Sequence, residues 1–262
     1  MNVSIDSQRF GGMGRLYGSC ALERLAQAHV AVVGVGGVGS WTVEALARSG
    51  VGRLTLIDMD DVCITNTNRQ LPALEGEIGR PKVEVLAERV GRIHPGCIIN
   101  PVSEFFLDST ADRLLSPEHR YDWVVDAVDR AAIKTLLIVK ARERGIEVLT
   151  VGGAGGRRDP TQVRCCDLGS TVSDVLLRQV RRELRKTYGW ANGAGHEYGV
   201  AAVYSAEPQM FPQHDGTVCA VKPGGDENLR MDCASGYGSA SFVTGAFGFA
   251  AAAEVVRRIA LG

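Results

Sequence analysis

Apolar residues in the first 156 positions form short runs. Between the runs they recur every three or four residues. The runs are 30–33 (VAVV), 53–58 (RLTLID), 97–102, 121–128 (YDWVVDAV) and 146–151. Short apolar runs predict strands, with those at 53–58 and 121–128 buried. The segment 40–50 places Val43, Leu46 and Ala47 on one helical face, and 82–93, 107–115 and 131–144 also predict helices, the first opening at Pro81. Strands alternating with helices predict an α/β fold with a doubly wound, Rossmann-like, mostly parallel sheet. Residues 1–28 predict a helical arm ahead of it. After Gly156 the rhythm breaks. Residues 161–168 predict an edge strand, 173–187 an amphipathic helix, and 240–256 a buried apolar helix. The chain is therefore expected to be one domain, with arm 1–28, nucleotide-binding core 29–156 and α+β extension 157–262. Residues 189–199 are Gly/Asn-rich and expected to be mobile, and 218–231 to be irregular.

The first predicted strand runs into Gly34, Gly36, Gly37 and Gly39, and a helix follows. This G-x-G-x-x-G turn lets backbone N–H groups and a helix N-terminus approach a phosphate. Alone it fits NAD, FAD, ATP or S-adenosylmethionine. The second strand ends in Asp58, where a carboxylate can accept ribose hydroxyls. The stretch 59–81 is too long for a simple connection, and long loops in compact domains are often functional. It carries Asp60, Asn66, Arg69 and Gln70, and Lys82 opens the next helix. Cations grouped beside a nucleotide suit ATP cleavage better than hydride transfer. Asp129, after the 121–128 strand, could hold Mg²⁺, which favours one or two carboxylates plus phosphates. The chain has no G-x-x-x-x-G-K-[ST], so it is not a P-loop ATPase.

Composition narrows the classes further. A net charge of −1 over 262 residues gives no global basic field. A local patch remains open: Arg178, Arg181, Arg182, Arg185 and Lys186 share one predicted helix, near Arg157 and Arg158. Such a run is usually a solvated face, but here it faces few acids and suits a polyanion. The chain has seven Cys and no C-x-x-C pair, so a Cys₄ zinc site is not expected. The N-terminal residues lack a basic segment followed by an apolar one, so a cytoplasmic protein with reduced thiols is expected. Residues 240–256 are shorter than the ~20 needed to span a bilayer, so no membrane span is expected.

The motifs GVGGVG, LIDMDDV, NTNRQ, GRPK and VVDAVD occur in the order and spacing of the ThiF/MoeB adenylating superfamily, which this chain resembles. RFGGMGRLYG, DMDDVCITNTNRQLPAL, GGAGGRRDPTQV and RMDCASGYG make it most similar to the tRNA threonylcarbamoyladenosine dehydratases, over nearly the whole chain. The resemblance implies ATP-dependent adenylation of the threonine carboxylate of threonylcarbamoyladenosine beside the tRNA anticodon. Ring closure and release of AMP would follow. It implies that Asp58 holds ribose, that Asn66, Arg69 and Lys82 bind phosphates, and that Asp129 holds the metal. It also implies a homodimer in which an N-terminal arginine, Arg15 or else Arg9, enters the partner's site. A link to a cysteine-desulfurase pathway is implied too, with Cys63 or Cys233 as conceivable sulfur acceptors, although most free thiols are simply small hydrophobes. The rival expectations are an activator of a sulfur-carrier protein, which would require a Gly-Gly-tailed partner, and an NAD-dependent dehydrogenase, which would require no ATP.

Overall fold

The computed structural model describes residues 6–191, 197–213, 215–220 and 237–262. The arm is two helices, α1 (Ser7–Tyr17) and α2 (Ser19–Gln27), broken at Gly18. Strands β1 (His29–Val33), β2 (Arg53–Ile57), β3 (Ile98–Val102), β4 (Trp123–Asp126) and β5 (Glu147–Val151) alternate with helices α3 (Gly39–Arg48), α4 (Lys82–Ile93), α5 (Asp108–Leu114) and α6 (Ala131–Glu143). Then follow β6 (Val163–Asp167), α7 (Val175–Tyr188), β7 (Ala201–Ser205), the short pair β8 (Phe211–Pro212) and β9 (Val218–Cys219), and α8 (Ser241–Leu261). The main sheet has the order β3-β2-β1-β4-β5-β7-β6. All neighbours are parallel except β6, which runs antiparallel to β7 at the edge.

Side-chain alternation along β1 explains the two layers. Val30 and Val32 face a core shared with Val43, Leu46, Val83, Phe247 and Val255 from α3, α4 and α8. Ala31 and Val33 face the opposite core, with Leu137 and Ile138 of α6 and Leu177, Val180 and Leu184 of α7. The chain leaves β1 toward β2 on one side and later returns to β4 on the other. The strand order therefore reverses between β1 and β4, as expected, and a crevice opens there at the carboxyl ends.

The sequence pattern missed β7. The stretch AAVYS is a fully buried strand, parallel to β5 and antiparallel to β6. It follows a Gly-rich segment and has no helix after it to complete the βα rhythm. The final apolar helix is longer than expected, at 21 residues, and packs on α3. Among the described residues, no helix is long and apolar enough to cross a membrane. Cys233 and most of CASGYG lie outside the described residues, as do 192–196 and most of 218–231.

Candidate nucleotide site at the carboxyl ends of β1, β2 and β4

The glycine turn begins where β1 ends. Gly34 has φ +83°, and a Cβ on it would lie 2.9 Å from the Ala127 carbonyl oxygen in the turn after β4. A side chain here would be strained in backbone and in packing alike. Gly39 lies beneath the Gly34 carbonyl, where a Cβ would collide with the oxygen. The turn is thus pressed between the start of α3 and the β4–α6 turn that carries Asp129. Asp129 is exposed at the crevice.

Asp58, just past β2, buttresses this turn. One carboxylate oxygen accepts the N–H of Val35 (2.8 Å) and the other the N–H of Asp60 (2.9 Å). Burial pushes the Asp58 carboxyl above its ordinary range, although the Asp60 N–H, the nearby Lys82 charge and the Val35 N–H pull it back. Lys82 opens α4 with its side chain 6% exposed, and its Nζ lies 2.8 Å from Asp60 Oδ2.

The long connection is closed at its base. Val62 N–H donates to Arg80 O, Gly79 N–H to Val62 O, and Lys82 N–H to Asp60 O. The loop so formed folds back over the glycines. Within it Asn66 is buried and caps a short turn, its Oδ1 accepting the Cys63 N–H at 3.1 Å. Arg69 and Gln70 follow from that turn. A Cβ on Gly37 would lie 3.7 Å from Arg69 Cγ, and one on Gly36 3.7 Å from Gln70 Nε2. The Arg69 backbone is fixed from two helices, with Trp41 Nε1 (3.1 Å) and Thr244 Oγ1 (3.0 Å) donating to its carbonyl. Its guanidinium reaches back to Thr65 O at 2.7 Å. Among the described residues Gln70 Oε1 is buried without a hydrogen-bond partner. Asp58, Asp60, Asn66, Arg69, Gln70 and Lys82 therefore gather with the glycine turn in one crevice, and Asp129 lies at its β4 side. Among the described residues no three His, Cys, Asp or Glu groups could hold a metal by themselves. A single carboxylate completed by phosphate oxygens is nevertheless a donor set that Mg²⁺ accepts.

Cys63 lies in the same loop. The Thr65 hydroxyl donates to its sulfur at 3.2 Å and pulls the thiol pKa down. The other shifts run the opposite way: burial pushes Cys97 up to about 12 and Cys165 up to about 11. In the arm, Arg9 is held by its own subunit, through Asp6 (2.9 Å) and the Ile93 carbonyl (3.2 Å). Arg15 is exposed.

Sequence reasoning missed a buried cluster under the Asp129 turn. Asp126, Lys134 and Thr150 are wholly buried. Lys134 Nζ lies 3.1 Å from Asp126 Oδ2, 3.1 Å from Asp126 O and 3.3 Å from Thr150 Oγ1. Thr150 Oγ1 donates to Asp126 Oδ2 at 2.6 Å, and Asp126 Oδ1 accepts the Val128 N–H at 3.2 Å. A buried ion pair seldom adds net stability, but this one braces the turn before Asp129. The signal was present: Lys134 shares the apolar stripe of Leu137, Ile138 and Ala141, where a surface lysine has no place.

The basic helix needs correction. Arg178, Arg182, Arg185 and Lys186 are exposed on α7. Arg181 instead turns inward, its Nη1 donating to Thr171 Oγ1 and to Leu168 O. Arg158 is exposed, whereas Arg157 is 2% exposed and does not belong to any surface patch.

The sequence profile of the ThiF family matches residues 12–261. A tRNA threonylcarbamoyladenosine dehydratase of Haemophilus influenzae is 46% identical, over 96% of this chain and 93% of the relative. Among solved structures, one described as TcdA (CsdL) superposes with TM-score 0.87 at 43% identity, covering 97% of this chain and 94% of the other. The Escherichia coli tRNA N6-threonylcarbamoyladenosine dehydratase, solved in complex with ATP, superposes with TM-score 0.84 at 41% identity and the same coverage.

Proposed function

The chain belongs to the ThiF family, and on that premise we propose that it dehydrates threonylcarbamoyladenosine beside the anticodon of tRNA, at the expense of ATP. One observation carries the proposal. Arg69 and Gln70 lie against a glycine turn that Asp58 buttresses, and Asp60, whose N–H Asp58 accepts, holds Lys82 beside it. Cations so placed match a triphosphate that is to be cleaved better than the two phosphates of a nicotinamide dinucleotide. The likeness to a structure solved with ATP supports the same ligand.

A carboxylate resists attack until one of its oxygens becomes a good leaving group. In the proposed sequence, a threonine carboxylate oxygen attacks the α-phosphorus of ATP. The bond from that phosphorus to the bridging β-phosphate oxygen breaks, and pyrophosphate departs with the electron pair. The ureido group of the same side chain then attacks the activated carbonyl. It loses a proton, the carbonyl–oxygen bond breaks, and AMP leaves with the former carboxylate oxygen. Both reacting groups belong to one nucleoside, so ring closure gains from proximity and needs no thioester. Asp58 orients the ribose. Asp60 holds Lys82 where it can meet phosphate charge, and Asn66, Arg69 and Gln70 line the path of the phosphates. Mg²⁺ held by Asp129 and phosphate oxygens would neutralise charge on the departing pyrophosphate.

Residues 1–262 would act as one adenylating domain in a homodimer. Arg15, on an arm ahead of the fold and without an ion pair among the described residues, would complete the partner's phosphate site. The exposed cations of α7 would meet the tRNA backbone. Isotope tracing tests the chemistry. With ¹⁸O in the threonine carboxylate, the released AMP should carry one label. Unlabelled AMP would rule out adenylation of that carboxylate.

A further inference from the structure

Arg157 follows the glycine run that ends β5. It is 2% exposed, and its Nη2 donates to the Ser173 carbonyl at 2.9 Å. Among the described residues its Nε and Nη1 have no hydrogen-bond partner. Burial pulls its pKa down, yet a guanidinium remains charged at any working pH. A buried charge with open donors is among the costlier features a fold can hold.

The neighbouring carboxylates do not close on it. Asp174 accepts the N–H groups of Gly153 (2.9 Å) and Leu177 (2.8 Å). Glu207 accepts those of Arg158 and Asp159, both at 2.9 Å. Ser173 is held at φ 56°, a region that serine enters only at a cost. Gly152 lies so close to Asp174 that a Cβ would collide with the carboxylate. Both carboxylates offset the guanidinium charge from nearby, but among the described residues no acceptor closes on Nε or Nη1.

Position says which acceptor. Thr150 lies opposite Asp126 in the sheet, so the chain leaves β5 beside the turn that bears Asp129. Ligands of open α/β sheets lie at such strand ends. The open donors call for an oxyanion. Donors so deeply buried suit a small planar carboxylate on a thin amino-acid tail better than a bulky backbone phosphate. We propose that Arg157 receives the substrate carboxylate that is to be adenylated, an assignment that rests on the function proposed above. The contact discriminates by charge. The carboxylate is anionic before adenylation, uncharged as the mixed anhydride, and absent from the cyclic product, so Arg157 grips substrate and releases product.

The test compares Arg157→Gln and Arg157→Lys with the unaltered protein. Binding is measured to tRNA carrying threonylcarbamoyladenosine and to the same tRNA without that modification, along with ATP affinity and the thermal midpoint. Arg157→Gln should weaken binding of the modified tRNA ~10-fold or more, down to the level of the unmodified one. Affinity for the unmodified tRNA and for ATP should stay unchanged. Arg157→Lys, which keeps the charge, should recover part of the difference, and it carries the test should the glutamine variant not fold. Equal weakening for both tRNAs, or none for either, overturns the assignment. An unaltered protein that binds both tRNAs alike also overturns it, whereas failure of the unaltered protein to convert the modified nucleoside with ATP would instead defeat the proposed function itself.

Discussion

Lys82→Met separates a catalytic role for Lys82 from a structural one. The Lys82 side chain is 6% exposed, but its partner Asp60 is 59% exposed. Solvent screens half of this pair, so its contribution to stability is small, about 0.5–1 kcal/mol. Methionine keeps the buried stem and its apolar contacts. The variant should therefore lose about 1 kcal/mol of stability, which lowers the thermal midpoint by roughly 2–4 °C. Turnover should fall far more. Removing a preorganised donor to developing charge typically costs ~10²–10³-fold, about 2.7–4 kcal/mol. The assay measures AMP and pyrophosphate release at saturating tRNA, beside thermal denaturation, for Lys82→Met, Asp60→Asn and the double variant. If Lys82 contacts phosphate, Lys82→Met should be much worse than Asp60→Asn, which leaves the cation in place. If Lys82 serves only to pair Asp60, the three variants should lose the same activity. Turnover of Lys82→Met near that of the unaltered protein would refute the phosphate role.

Inactive Arg15→Ala protein mixed with inactive Asp129→Asn protein should recover part of the turnover, because some mixed dimers hold one intact site; no recovery despite demonstrated subunit exchange would refute an arm acting across the dimer. Neutralising Arg178, Arg182 and Lys186 together should weaken tRNA binding and flatten its salt dependence, since fewer counterions are released, while ATP binding is unchanged; an unaltered salt slope would make α7 merely a solvated face. Cys63, its pKa lowered by the Thr65 hydroxyl, should react with iodoacetamide before Cys97 and Cys165, and Thr65→Val should slow it. Cys63→Ser should keep most of the turnover, because ring closure needs no thioester; loss of turnover with ATP binding intact would point to covalent catalysis.

The sequence disclosed those parts of the molecule whose cause is local. The glycine turn, Asp58 at the end of β2 and the helix opening at Lys82 could be read because strand period, turn chemistry and helix start coincide within a few residues. The α6 stripe containing Lys134 was equally local, but a lysine there reads as surface until Asp126 and Thr150 are seen across the sheet. Strand β7 was hidden because its partners, β5 and β6, lie far back in the chain. Arg157 and Arg181 look like members of one basic surface, and only the packing of Ser173, Thr171 and Leu168 around them sets them apart from Arg158 and Arg178.

The most direct measurement is the mass of the nucleosides from a treated tRNA. The protein is incubated with ATP and tRNA that carries threonylcarbamoyladenosine, and the tRNA is then digested and weighed nucleoside by nucleoside. The modified nucleoside should become lighter by one water, with one AMP released per nucleoside converted and no change when ATP is omitted. An unchanged nucleoside, with AMP appearing only when a Gly-Gly-tailed protein is added, would contradict the account and make the chain an activator of a sulfur carrier.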